Sequence, residues 1–508
     1  MSDGKTIAKN TVFLYFRMFL IMGVGLYTSR VVIHKLGVDD YALYSVVGGV
    51  VGMLSFINGT LSIGTMRFLT FELGKNDYCR LHKTFNTAFY THLALALILA
   101  VILETAGLWY FNTHLVIAPE RFHAALIAYH ISILSSVILV TQVPYTSLIM
   151  AYERMNIYAY ISIFEAVAKL VVVYLLCLSD YDKLVTYAIL IAVVELLTAM
   201  SYRFYCIRKF KESHLGLVFE RDIFKSLLSF SGWNILANLS ETLKLQGYII
   251  LLNQFFIPAV VAAQTIGNQV SGAMMQFINN FRSAINPQII KQYASGDYEE
   301  SKRLMFKTTV LVFDLVLLLG LPTVFVMDTI MDVWLVEIPP YAVVFTQYII
   351  IQRILSTFDA AFYIPMMAAS KIKSNSIIAA VSGPGAFAAL YLIYRFGGDV
   401  MWMQYIGLII MILFGFIVKP YLLVHDVEGY RYRDFIPCFV SCGKVALLSV
   451  ALSYGSYLLT GNDDLVSSVI LFILSILSVC LSSYLFLDAD TRRQFHQFVA
   501  SRIPKRKK

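Results

Sequence analysis

Residues 157–179 read IYAYISIFEAVAKLVVVYLLCLS, and residues 184–206 read LVTYAILIAVVELLTAMSYRFYC. Each apolar run exceeds the roughly 20 residues an α-helix needs to cross the hydrocarbon core of a bilayer. Only Asp180-Tyr181-Asp182-Lys183 separates them, which predicts a helical hairpin through a membrane. The pattern continues in both directions. Candidate spans fall at about 12–33, 41–64, 84–108, 123–146, 157–179, 184–206, 226–252, 258–281, 306–327, 341–366, 376–396, 402–424, 437–460 and 466–487.

Composition agrees. The 508 residues are 58% apolar and 14% charged, whereas soluble domains carry about 25% charged residues. Mean hydropathy is +0.71. So few charges cannot cover a water-facing surface, which excludes a soluble enzyme, a nucleic-acid binder and a disordered chain. No connection exceeds about 25 residues, too short for a soluble domain. The N-terminus carries no cleavable signal pattern, so the first run is expected to remain as a helix. The expectation is an all-α integral membrane protein with about 14 transmembrane helices.

The loop cations set its orientation. With the N-terminus inside, the outer loops hold Lys35, Arg121 and Lys183, against twenty-eight Lys and Arg in the inner segments and tail. This bias follows the positive-inside rule. Both termini are then cytoplasmic, and the net charge of +8 reports topology.

The halves repeat. Asp77-Tyr78 recurs as Asp297-Tyr298, 220 positions later; Pro144 matches Pro365, and Arg154 matches Lys373, at offsets of 221 and 219. A near-constant offset predicts duplication of a six-helix unit, and an even number of helices makes the copies parallel. The organisation is then 1–211, a first six-helix bundle; 212–425, its repeat; 426–487, two additional helices; and 488–508, a basic cytoplasmic tail.

Ionisable groups within spans are costly and mark cavities or partners. Arg17 and Arg30 lie in helix 1, Glu165, Lys169 and Glu195 in helices 5 and 6, and Glu241 and Lys244 in helix 7. Asp314 lies in helix 9, with Arg353 and Asp359 in helix 10. Glu165–Lys169 and Glu241–Lys244 have the spacing of intrahelical pairs. Asn234, Asn238, Glu241 and Tyr248 form one polar stripe, and Gln264, Asn268, Ser271, Asn279 and Arg282 another. Lipid cannot satisfy such stripes, so they are expected to face a cavity or other helices. Gly48, Gly52, Ser55, Gly59 and Ser62 form a small-residue seam suited to close packing. Arg17, Arg30 and Lys244, with Asn234, Asn238, Gln264 and Asn268, are the candidate anion-binding set, because guanidinium grips phosphate bidentately. Glu241, Asp314 and Asp359 are candidates for binding a coupling ion. His92 and His130 are expected to be buried and hydrogen-bonded. The cysteines, Cys79 apart, are expected to be buried and inert. There is no P-loop, HExxH or CxxC pattern, so neither a catalytic residue nor a metal site is expected. No cofactor is expected beyond a coupling H+ or Na+.

Several short stretches carry a family resemblance. They are Asn10-Thr11-Val12, Leu36-Gly37-Val38-Asp39-Asp40-Tyr41-Ala42-Leu43-Tyr44, Arg67-Phe68-Leu69 with Glu72-Leu73-Gly74-Lys75, Ala151-Tyr152-Glu153-Arg154-Met155, and Ile285-Asn286-Pro287-Gln288-Ile289. In this order the chain resembles the Wzx polysaccharide flippases of the multidrug/oligosaccharidyl-lipid/polysaccharide exporter superfamily. The resemblance implies two six-helix bundles forming a V-shaped central cavity, with two extra C-terminal helices. It implies flipping of undecaprenyl-pyrophosphate-linked oligosaccharides across the bacterial cytoplasmic membrane for O-antigen, capsule or exopolysaccharide synthesis. Arg17, Arg30 and Lys244 would hold the pyrophosphate. The implied partners are the lipid-linked oligosaccharide, membrane lipids and polysaccharide polymerase machinery. The alternative within the superfamily is a cation-coupled multidrug (MATE-type) exporter. A membrane glycosyltransferase or polymerase would need an extramembrane catalytic loop that the chain lacks room for.

Overall fold

A computed structural model describes residues 4–486, apart from 53, 54, 76, 153, 370 and 463, together with residue 492. Among the described residues every element is helical. In chain order they are α1 (Gly4–Leu36), α2 (Val38–Gly52), α3 (Ser55–Gly74), α4 (Tyr78–His114), α5 (Pro119–Ala151), α6 (Met155–Leu178) and α7 (Lys183–Lys209). Helix α8 runs from Arg221–Thr242 through a π-helical turn, Leu243–Gly247, into Tyr248–Phe255. There follow α9 (Pro258–Ala294), α10 (Tyr298–Phe325), α11 (Met327–Trp334), α12 (Ala342–Ala368), α13 (Lys373–Arg395), α14 (Trp402–Asp426), α15 (Tyr432–Thr460) and α16 (Leu465–Phe486).

Each expected span coincides with one of these helices, the second with α2 and α3 together. The short α11 has no counterpart in the sequence reading, since eight residues are too few to span. The chain is a multi-pass membrane protein. Among the described residues nine helices are long and apolar enough to cross by length and composition: α4, α5, α6, α7, α10, α13, α14, α15 and α16. The expected count of fourteen is not reached on that measure. The remaining helices include α1, α8, α9 and α12, which carry the two polar stripes and part of the ionisable residues; Glu165, Lys169, Glu195 and Asp314 lie on helices of the nine. The basic tail at 488–508, all but residue 492, lies outside the described residues.

Large apolar side chains face outward along the spans, and small polar ones are buried among the apolar side chains of the interior. Val101, Leu447 and Leu458 stand exposed, while Ser449, Ser453, Ser475 and Ser482 are fully buried. Ser453 and Ser478 share a hydrogen bond of 2.8 Å that ties α15 to α16. The six cysteines are free; Cys177 and Cys480 are exposed rather than buried, since thiols are apolar enough to face lipid. His92 is buried and bonded to the Ala88 carbonyl at 2.8 Å. His130 is exposed instead, 2.9 Å from Glu104.

The duplicated landmarks adopt duplicated geometry. Asp77 caps α4 by accepting from the Arg80 amide at 2.9 Å, and Asp297 caps α10 by accepting from the Glu300 amide at 3.2 Å. Each side chain satisfies one of the amides orphaned at a helix start. Pro144 and Pro365 both lie inside helices, α5 and α12.

The chain divides into two compact units. One comprises Met1–Gln269, Trp334–Ala342 and Asn375–Met403; the other comprises Val270–Val333, Val343–Ser374 and Gln404–Lys508. In the first, α13 lies against α8 at Gly383. A Cβ there would stand 2.7 Å from the Ser240 carbonyl oxygen, so glycine permits the approach. The Gly383 amide donates to Ser240 Oγ at 3.0 Å. Of the small-residue seam of helix 2, Gly52 packs closely, a Cβ there lying 3.2 Å from the Gln246 side chain of α8, whereas a Cβ at Gly48 would meet nothing within 4 Å; Ser55 and Gly59 lie outside the described side chains.

Arg121 fastens the loop side of this unit. Its Nε and Nη2 donate to Asp40 at 2.8 and 2.6 Å, and its Nη1 donates to Asp182 at 2.5 Å. Three connections are thereby joined: α1–α2, α4–α5 and α6–α7. Burial raises Asp40 above its ordinary value, with Arg121 opposing. Burial also pushes Asp182 upward, but the hydrogen bonds from Arg121 and the Val185 amide outweigh it and hold that carboxyl low. A depressed carboxylate stabilises above its ordinary value, and this is lost as pH falls through the lower folded value. Asp40 runs the other way: its ionisation, as pH rises through the raised value, costs stability that Arg121 partly offsets. Arg121→Ala is expected to cost about 1 kcal/mol per leg at low salt. Thermal unfolding of the detergent-solubilised protein should show that deficit at neutral pH; as pH falls the Asp40 leg is lost first, and the Asp182 leg only below the ordinary carboxylate range.

Candidate functional site

In the second unit, three helices carry charge inward and satisfy it against one another. Arg353 of α12 donates from Nε to Ser271 Oγ of α9 at 2.6 Å. Arg282 of α9, only 7% exposed, donates to the Thr357 carbonyl of α12 at 2.8 Å. Lys419 of α14 lies 3.1 Å from Asp359 Oδ1 of α12. It is 3% exposed and stands 5.0 Å from the Tyr363 ring centroid. A further bond, Gln352 Nε2 to Gln404 Oε1 at 3.1 Å, holds α12 to α14.

The local cause of the Lys419 placement is a π-helical turn, Phe414–Val418, immediately before it. One extra residue in that turn rotates everything after it by about 100° around the helix. Lys419 is thereby aimed at Asp359, while Gly415 lets the turn close on Phe358, where an added Cβ would lie 3.2 Å from the Phe358 Cβ. Phe358 and Phe416 pack at 5.0 Å between centroids.

The expected site residues fall into separate groups. In the first unit, Lys244 sits in the π-helical turn of α8 and pairs with Glu241 at 3.0 Å, the lysine mostly covered and the glutamate exposed. Gln264 donates to Asn268 at 3.1 Å on α9. Arg30 is half-buried on α1. The side chains of Arg17, Asn234 and Asn238 lie outside those described. In the second unit, Asp359 pairs with Lys419, whereas Asp314 of α10 lies beside Ser483 of α16 and Cys442 of α15. Within the second unit, Asp314 and Asp359 therefore have different partners. The polar stripe on α9 also divides: Gln264 and Asn268 bond each other, while Ser271 and Arg282 serve α12.

Sequence reasoning missed Lys419. It stands near the end of an apolar run, where a lysine ordinarily snorkels to the interface. The signal available was Lys419-Pro420 within that run, since proline removes a donor and accompanies disturbed helix geometry. The i,i+3 and i,i+4 pairs, Glu241–Lys244 and Glu165–Lys169 at 2.6 Å, form as their spacing implies.

The chemistry of these groups is charge holding. Guanidinium and ammonium groups on these helices suit an anion, and carboxylates beside Lys244 and Lys419 offset the cost of covering those charges.

A family profile described as MatE matches residues 14–175. The lipid II flippase MurJ, in an inward closed conformation, superposes with a TM-score of 0.68 at 13% identity, covering 94% of this chain and 98% of that one. The chain has a MurJ- and MATE-type transporter fold. A multidrug resistance MATE family transporter of the MOP superfamily, inward-facing, gives 0.60 at 14% identity over 81% of this chain and 96% of that one. A MOP superfamily transporter from Pyrococcus furiosus gives 0.59 at 13% identity, with 81% and 94% covered. No curated protein matches.

Removing one member of the Lys419–Asp359 pair takes the nearest counter-charge from the other. Lys419→Met is expected to cost about 3–5 kcal/mol. Lys419→Met combined with Asp359→Asn should recover most of the loss, as read by thermal unfolding in detergent. Additive losses would show that the two groups do not interact.

Proposed function

We propose that the chain flips undecaprenyl-pyrophosphate-linked oligosaccharide units across the bacterial cytoplasmic membrane by alternating access, for surface polysaccharide synthesis. The observation that carries this reading is the set of cations on the long helices: Arg30, Lys244, Arg282, Arg353 and Lys419. A pyrophosphate-sugar headgroup cannot enter hydrocarbon unaided. Intramembrane cations lower that barrier while the polyprenyl tail stays in lipid. The near full-length likeness to a lipid II flippase supports the reading. In it, Arg30 and Lys244, with Arg17, Asn234, Asn238, Gln264 and Asn268, meet the headgroup. Both termini are cytoplasmic, and the polysaccharide polymerase receives the product. Rocking of the repeated halves, driven by a proton or sodium gradient at Glu241, Asp314 or Asp359, supplies the alternation.

The MatE profile over residues 14–175 favours a second reading, a cation-coupled multidrug exporter. A cationic drug would prefer an acidic path, and the intramembrane cations oppose it.

In cells lacking the protein, a pyrophosphate-linked oligosaccharide should accumulate on the cytoplasmic leaflet and clear on re-expression. Arg30→Ala and Lys244→Ala should each abolish clearance while inserting normally. Normal surface polysaccharide with new sensitivity to cationic drugs would favour the exporter.

A further inference from the structure

The hairpin of α4 and α5, wholly within the first unit, carries an ion pair on its exposed face. His130 Nδ1 of α5 stands 2.9 Å from Glu104 Oε1 of α4, and the two side chains are 44% and 42% exposed. Both residues lie more than two turns from the connection that joins the helices, inside runs apolar enough to cross a membrane. Large apolar side chains stand exposed on either side of them: Val101 and Trp109 flank Glu104, and Ile127 and Leu134 flank His130. The pair shares the surroundings of those lipid-facing residues, where ionisable groups are rare and demand a partner.

A π-helical turn, Leu103–Gly107, builds this face. The Tyr129 hydroxyl donates to the Leu103 carbonyl at 2.6 Å, and an added Cβ at Gly107 would collide with that hydroxyl. The widened turn leaves Glu104, Thr105 and Ala106 exposed in succession. Small residues that admit a neighbouring backbone, beside polar residues that bond across helices, are what helix contacts in membranes use.

The pair is not self-sufficient. Glu104 Oε2 and His130 Nε2 have no hydrogen-bond partner among the described residues, and Tyr129, beside Glu104, gives its hydroxyl to Leu103. Hydrocarbon supplies neither a donor nor an acceptor. Whatever covers this face must bring one of each at a single depth. A second copy does so by symmetry. Two copies inserted in the same orientation are related by a two-fold axis along the membrane normal, and such an interface sets one patch against itself. Groups that meet across it lie at equal depth, and the 2.9 Å separation of Glu104 and His130 places them so. Glu104 of each copy then accepts from His130 of the other, which closes a ring of four alternating groups.

We propose that the chain forms a two-fold dimer through this face of α4 and α5, with Glu104 and His130 bonded between copies and Thr105 and Ala106 at the close approach. The dimer stands whatever molecule the chain transports.

The test uses the purified full-length chain in liposomes. Copies carrying donor or acceptor dyes are mixed, and energy transfer is followed as the protein-to-lipid ratio falls; photobleaching steps count the copies per vesicle at high dilution. A saturable dimer is expected, weakened about tenfold in Glu104→Leu and in His130→Leu. Ala106→Leu, which leaves the pair in place and fills the approach, should weaken the dimer as well. Thermal unfolding in detergent shows that each variant is folded. The sharpest comparison mixes Glu104→Leu copies with His130→Leu copies. Neither variant holds the pair internally, yet together they restore one Glu104–His130 contact between copies. The mixture should therefore associate more tightly than either variant with itself. A chain monomeric at every dilution, a dimer indifferent to all three substitutions, or a mixture no tighter than the separate variants overturns the proposal.

Discussion

A charge carried into hydrocarbon must find its partner on the protein, and this chain is arranged around that requirement. Glu165 meets Lys169, Glu241 meets Lys244, and Asp359 meets Lys419. Arg282 and Arg353 turn to a backbone carbonyl and a serine. Each bond between helices fixes their register, because a shift of one residue would leave a buried charge unmatched. The apolar exterior sets no such register, since one lipid-facing leucine serves as well as another.

This divides what could be read in the chain from what could not. Apolar runs predict helices because lipid admits no other arrangement of their backbone, and each predicted run is helical. Pairs three or four residues apart lie on one helix face, so Glu165–Lys169 and Glu241–Lys244 were legible. The repeated Asp77 and Asp297 were legible too, because a helix cap is a local event. Lys419–Asp359 joins two helices through a π-helical turn that shifts the phase of α14, and no periodicity reports such a turn. Arg121 gathers Asp40 and Asp182 from two other loops, which requires the fold.

The structure also separates roles that the sequence merged. Asp359 and Glu241 each lie beside a lysine and resemble charge-balancing elements, while Asp314 lies beside Ser483 and Cys442. In the proposed flippase, the basic groups ease the passage of a phosphorylated headgroup.

The measurement that tests the central claim most directly is transport by the purified chain in liposomes. Three molecules are compared: a polyprenyl-pyrophosphate oligosaccharide, the same oligosaccharide on an uncharged polyprenyl glycoside, and a cationic dye. Intramembrane cations that serve an anionic headgroup predict that only the pyrophosphate lipid changes leaflet at an appreciable rate. Movement of the dye, with the pyrophosphate lipid left in place, would contradict the account.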